Sequence, residues 1–323
     1  MDWTKSINIS PLEPLLNFGD TALEYFTRQD LLENPPGDIQ EIWVLPEVKK
    51  MLEKQNQDGS WTYPKRGEGA HPTENYHILQ TYRILGILVE MYGLDNTHPA
   101  IPKAAEYILS HQTVEGDIRG IFGSQYAPHY TAGLIELLIK AGYGQDPRII
   151  KGIQWFDEIR QEDGGWAWPL RTARVNYRDA IEMDQPVKTN QTNQFSHALT
   201  GFVIRAYASH AEYKKSTIAL TAGNLLKSRF FKADKYADRR AVEYWWKYQY
   251  PFWWGNLLTV MDSLSRMGFS MEDPDIIKGI NWFQDNQLDN GFWPTGYGKG
   301  NQKDTNQAWV SLAVCRMLKR FNQ

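Results

Sequence analysis

The chain has one cysteine, Cys315, among 323 residues. That excludes an intramolecular disulfide and any zinc site built from several cysteines. No stretch reaches the roughly eighteen uninterrupted apolar residues of a membrane-spanning helix. The start, Met1-Asp2-Trp3-Thr4-Lys5, has no basic segment followed by an apolar run, so no secretory signal is read there and a cytoplasmic location is expected. Charge of one sign is also scarce. A formal net charge of −3, with no run of like charges, leaves no footprint for nucleic acid, and nothing marks a membrane-surface segment. Aromatic residues, by contrast, are plentiful: 13 Trp, 17 Tyr and 13 Phe must either staple elements together or line a cavity. The remaining composition, 42% hydrophobic and 23% charged, suits a globular chain with a sizeable core.

Internal repetition organises that composition. Gln55-Asn-Gln-Asp58-Gly59-Ser-Trp61, Gln161-Glu-Asp163-Gly164-Gly-Trp166 and Gln287-Leu-Asp289-Asn-Gly291-Phe-Trp293 are near copies, and Gln112-Thr-Val-Glu-Gly116-Asp-Ile118 is a fourth with Ile in place of Trp. Between them run Gly93 to Pro99, Gly142 to Pro147 and Gly268 to Pro274. Glycine past a helix end followed by Asp-Pro at the next start joins two antiparallel helices. Apolar residues at helical spacing, such as Ile78, Tyr82, Leu85 and Val89, mark inner helices near 20–33, 73–92, 129–142, 194–210, 252–268 and 305–320. The stretch 134–141 is apolar nearly all round apart from Glu136 and Lys140. Narrower stripes mark outer helices near 46–56, 100–112, 147–161, 216–230 and 274–287. The expectation is an all-α, (α/α) toroid of five to six hairpins over residues 20–323, with an N-terminal extension at 1–19 and a polar insert at about 170–192.

The Gln-x-Asp-Gly-x-Trp segments resemble the repeat of squalene/hopene cyclases and protein prenyltransferase β-subunits, the terpenoid cyclase-type toroid. The resemblance implies that Gln55, Trp61, Gln161, Trp166, Gln287 and Trp293 are structural, tying a helix end to the neighbouring repeat. It also implies an apolar, isoprenoid ligand in the central space. The catalytic signatures do not carry over. No Asp-x-Asp-Asp occurs, Glu182-Met-Asp184 lacks the final acid, and Asp234-Lys-Tyr-Ala-Asp238 reads as a solvated turn rather than a metal motif. Cys315 reads as a buried structural thiol. No metal or other cofactor is expected, and the oligomeric state is left open.

Topology gathers the inner-helix starts at one mouth of the ring. Glu74, His77, His129, Tyr130, Asn193, His197, Asn256, Asp304 and Asn306 are the polar residues placed there. His77, His129 and His197 open three consecutive inner helices and suit proton transfer or hydrogen bonding in a pocket. Glu74 and Asp304 would supply the paired carboxylates of a carbohydrate-active lyase or glycosidase, a second reading; a non-catalytic binding or scaffold protein is the third. Phe252, Trp253 and Trp254, from the aromatic run 244–254, are placed at an inner-helix start, facing the cavity as ligand-binding surfaces.

Overall fold

Proline at the first turn, or an Asp, Asn or Ser cap, opens most of the helices. The computed structural model describes residues 3–34, 36–64 and 71–323, and among these there is helix but no strand beyond isolated bridges. The principal helices are α1 (Thr21–Leu32), α2 (Pro46–Leu52), α3 (Tyr76–Glu90), α4 (Ala100–Leu109), α5 (Pro128–Leu138), α6 (Pro147–Glu158), α7 (His197–Ser209), α8 (Thr217–Lys227), α9 (Leu257–Met267), α10 (Pro274–Asp285) and α11 (Asn301–Phe321). The Asp146 carboxylate accepts from Arg148 N at the start of α6, and Asp273 does the same for Asp275 N at α10. Gly268 ends α9 at φ +82°, a conformation only glycine adopts without strain.

Odd-numbered helices form the inner ring and even-numbered helices the outer one. α3, α5, α7, α9 and α11 pack side by side in that order, and α11 returns to α1. Trp309 Nε1 on α11 donates to Asp20 at 3.1 Å, and Arg316 Nε to Asp30 at 2.6 Å. Phe26 of α1 lies against Gly93 beyond α3, so the circle is complete. The structure is therefore an all-α (α/α) toroid.

Each repeat is tied in the same way. Gln55 Nε2 donates to its own loop carbonyl at Gly59 and to Ala100 O at the start of α4, while Gln112 Nε2 bonds Gly116 O and Arg148 O. Trp61, Trp166 and Trp293 are buried, and their indole Nε1–H groups donate to Met51 O, Phe156 O and Phe283 O at 2.7–2.8 Å. Their backbone N–H groups donate in turn to Thr81, Thr200 and Ser311 on the following inner helices, and Ile118 N donates to Thr131. That inner-helix hydroxyl is a fourth member of the repeat. Gln161 departs from the pattern, donating to Asn190 O and Asn193 O of the insert.

Residues 3–17, set apart as an extension by their sequence, complete the outer layer. Gln287 Nε2 donates to Ile9 O at 2.6 Å, where its counterparts reach the next outer helix, and its Oε1 accepts from Asn8 N and Ile9 N. Trp3, Ile7 and Leu15 are buried, and the Trp3–Ser6 turn packs on α10 and α11. The insert is ordered too, with short helical turns at Pro169–Ala173 and Tyr177–Ile181. Gln125 fastens it from α5's side, donating to Ala180 O and accepting from Val187 N.

Candidate functional site

Residues 249–254 form a strap through the middle of the ring, which corrects the expected start of an inner helix at 252. Pro251 has no N–H to give and disfavours helix at the residue before it, and Asn256 then caps α9 through a capping box with Thr259. The strap touches most of the inner ring. Tyr250 stacks on Trp309 of α11 at 5.8 Å, the Phe252 carbonyl accepts from Arg205 Nη2 of α7 at 3.0 Å, Trp253 stacks on Tyr82 of α3 at 4.7 Å, and Trp254 meets Phe202 of α7 edge-on. Much of the expected central space is therefore occupied by side chains.

Between the strap and α3 a cavity of about 310 Å³ remains. Tyr82, Gly86, Ile87, Leu137, Phe252 and Trp253 give it apolar walls, and Arg83 and Glu90 mark its two ends. These ends are seven residues apart on one helix, so the space extends about 10 Å along α3. Glu90 cannot act there as an acid. Burial would raise its pKa, but Lys140, Arg266 and the Tyr250 hydroxyl hold it below the usual carboxylate value.

The three candidate histidines lie in three different settings. His77 is exposed at the start of α3, where its backbone N–H is capped by Asn75. His129, 6% exposed, sits among Phe122, Tyr130, Trp168 and Phe202, and burial pushes its pKa down to about 3. Trp168 Nε1 donates to its Nδ1 at 3.4 Å, which leaves the ring's proton on Nε2. His197 stacks on Trp245 and faces Asp234 at 3.2 Å; burial lowers its pKa to about 4, against the pull of that carboxylate. Among the described residues no group of three His, Cys, Asp or Glu side chains could hold a metal ion.

The other candidates divide between the mouth and the frame. Tyr130 packs its ring beside His129, Tyr82 and Trp253. Asn256 is buried, and its amide is used by Thr259 N, Lys247 O and Trp254 O, so its role is structural. Glu74 is held by His71 N, Tyr76 and Tyr177, whereas Asp304 is exposed on the first turn of α11. Nothing brings them together as a catalytic pair. Asp234, expected in a solvated turn, is instead buried and accepts from Ser196 Oγ and from the backbone of Ala198, Tyr236 and Ala237. Cys315 is buried, and desolvation raises its pKa.

Sequence reasoning missed the charges inside the ring. Glu136 of α5 and Lys140 in the turn just after it pair with each other at 2.7 Å; Lys140 also holds Glu90, and Arg205 meets Glu136 at 2.6 Å. Asp262 of α9 joins Arg266 and Arg320, and these groups lie toward the carbonyl ends of the inner helices. Cations there complement the negative ends of the helix dipoles. Interruptions of apolar helical runs, Glu136 and Lys140 among them, were the available signal.

Residues 77–222 match the family model of the squalene-hopene cyclase C-terminal domain. A squalene–hopene cyclase of Zymomonas mobilis is 26% identical over 145 residues, covering 45% of this chain and 21% of that enzyme. Among solved structures, an apo point variant of the type II terpene cyclase MstE from Scytonema is 12% identical, over 87% of this chain and 95% of its own, at a TM-score of 0.42. An unsaturated glucuronyl hydrolase from Bacillus sp. GL1 is 10% identical, over 100% and 86%, at 0.48.

Proposed function

From the premise that this chain is a squalene–hopene cyclase-like helical toroid, we propose that it binds a short apolar molecule of the isoprenoid class in the cavity between α3 and the strap. The cavity carries the reading: apolar walls with a few polar groups at the ends describe a small-molecule site. The lining residues of α3 run for about 10 Å, which suits a short prenyl segment. Chemistry narrows the activity as well, because Glu90 is the lining carboxyl and is held ionised, so it has no proton to give to an alkene. The role that fits is binding of a prenyl chain rather than acid-initiated cyclisation.

Trp253 in the wall supplies the assay. Geraniol, farnesol and geranylgeraniol are titrated against tryptophan fluorescence, with Gly86→Leu as the blocked variant. A Cβ on Gly86 would meet Leu137 Cδ1 at an ordinary 3.6 Å, so the larger side chain fills the cavity while the helix is retained. The expected result is saturable quenching, strongest for geraniol and lost in Gly86→Leu. Absence of quenching with every prenyl alcohol, or quenching unchanged in the variant, overturns the reading.

A further inference from the structure

Arg266 of α9 and Arg320 of α11 share a single carboxylate. Arg266 Nε donates to Asp262 Oδ2 at 2.9 Å, Arg320 Nη2 donates to Asp262 Oδ1, and Arg320 Nε donates to Ser265 Oγ at 3.0 Å. Contact with the two oxygens of one carboxylate fixes the guanidiniums side by side. Arg205, Lys140, Arg316 and Lys319, by contrast, each have an acid of their own in Glu136, Glu90, Asp30 and Glu33. Two guanidiniums against one carboxylate leave a surplus positive charge at the carbonyl-end mouth of the ring, the end away from the helix starts. Among the described residues, nothing accepts from Arg266 Nη1 or Nη2, or from Arg320 Nη1.

The surplus faces outward. Asp262 keeps 8% of its side-chain surface exposed, against 23% for Arg320 and 34% for Arg266, so the acid lies beneath the two cations. Arg320 registers the crowding: burial lowers its guanidinium pKa, Asp262 pulls it back, and Arg266 and Arg316 push it down further, to about 10. The negative ends of the helix dipoles favour cations at this mouth. Yet none of the helix-end carbonyls among the described residues accepts from the unused Nη groups, so the dipoles leave these donors open to an incoming oxyanion.

We infer that Arg266 and Arg320 form an anion site at the carbonyl-end mouth and that it takes a phosphate group. A phosphate presents several oxygens at once, so it can accept from both guanidiniums while Asp262 and Ser265 hold their other edges in place. Planar guanidinium forks match phosphate oxygens, which selects phosphate over a spherical ion such as chloride. Neither arginine lines the cavity beside α3, so the site goes beyond the prenyl-binding reading and does not depend on it.

The test titrates inorganic phosphate, glycerol 3-phosphate and chloride by calorimetry at matched ionic strength, on the wild-type chain and on Arg266→Gln, Arg320→Gln and Arg148→Gln. Sedimentation with phosphatidylcholine vesicles, with and without phosphatidic acid, distinguishes a lipid headgroup from a free phosphate. Each substitution in the pair leaves Asp262 one arginine, and circular dichroism confirms that the ring is folded. The expected result is saturable binding of the phosphate group but not of chloride, weakened about tenfold by Arg266→Gln and by Arg320→Gln. Arg148, which holds Glu106 and Asp146 on the outer ring, is the control, and its substitution should change nothing. Binding of inorganic phosphate assigns a free anion; binding of phosphatidic acid vesicles alone, lost in the same two variants, assigns a lipid headgroup. Absence of binding to every phosphate group, equal binding of chloride, or phosphate binding unchanged in both Arg266→Gln and Arg320→Gln overturns the inference and leaves the cavity reading intact.

Discussion

Trp61, Trp166 and Trp293 each bury a large ring and spend the indole N–H on a carbonyl ten residues earlier, so apolar packing and polar satisfaction coincide in one side chain. Replacing Trp61 or Trp293 by Ala is expected to cost about 3–5 kcal/mol, measured by denaturant unfolding. An unchanged midpoint would show that these rings carry no packing load. His129 gives a residue-scale pH effect. Its folded pKa of about 3 lies below the ordinary 6.5, so the unfolded chain binds the extra proton between those values. The stabilisation from keeping it neutral is fully present above pH 6.5 and is lost progressively as pH falls toward 3, amounting to about 2 kcal/mol by pH 5. A His129→Phe variant should show a shallower fall in stability over that window. An identical slope would place the acid sensitivity elsewhere.

At the scale of elements, the Gln side chain couples one hairpin to the next. Gln287 does so across the chain's two ends, because the backbone it holds belongs to residues 8 and 9. Gln287→Ala removes the acceptor for two backbone N–H groups and the donor for Ile9 O, and should destabilise by about 1–3 kcal/mol. Hydrogen exchange should then rise first in residues 3–17 and along the adjoining α10 and α11. Equal protection there in variant and wild type would show that Trp3, Ile7 and Leu15 hold the segment by apolar contact alone.

Across the whole molecule, the strap and the buried ion pairs replace an open centre by a largely filled one. Arg205, 3% exposed, ties the strap's Phe252 carbonyl to Glu136 of α5, so removing its charge leaves a buried carboxylate with Lys140 as its remaining cation. Arg205→Met should cost about 3 kcal/mol, toward the low end for a broken buried pair because Lys140 stays. Adding Glu136→Gln should recover part of that loss. A double variant as unstable as the sum of the single ones would show the two groups uncoupled.

The toroid was legible in the chain because its signals are local: Gly and Asp-Pro act within a turn, apolar periodicity within a helix, and the Gln-to-Trp motif within seven residues. The inner and outer helices consequently lie within a few residues of their expected places, apart from α9. There Pro251 and the Asn256 cap outweigh an aromatic run that reads as helix. Tyr130 meets His129 and Trp253, but Trp253 and Trp254 come from the strap and not from a helix start. The separation of His77, His129 and His197 was not foreseeable, since a side chain's direction depends on neighbours far along the chain. Nor could the sequence show that Arg205 meets Glu136, that Glu90 is held ionised by Lys140, or that residues 3–17 close the ring. Those are long-range pairings decided by how six inner helices share one interior, and only the tertiary structure places charges from several helices around a strap that comes from a loop.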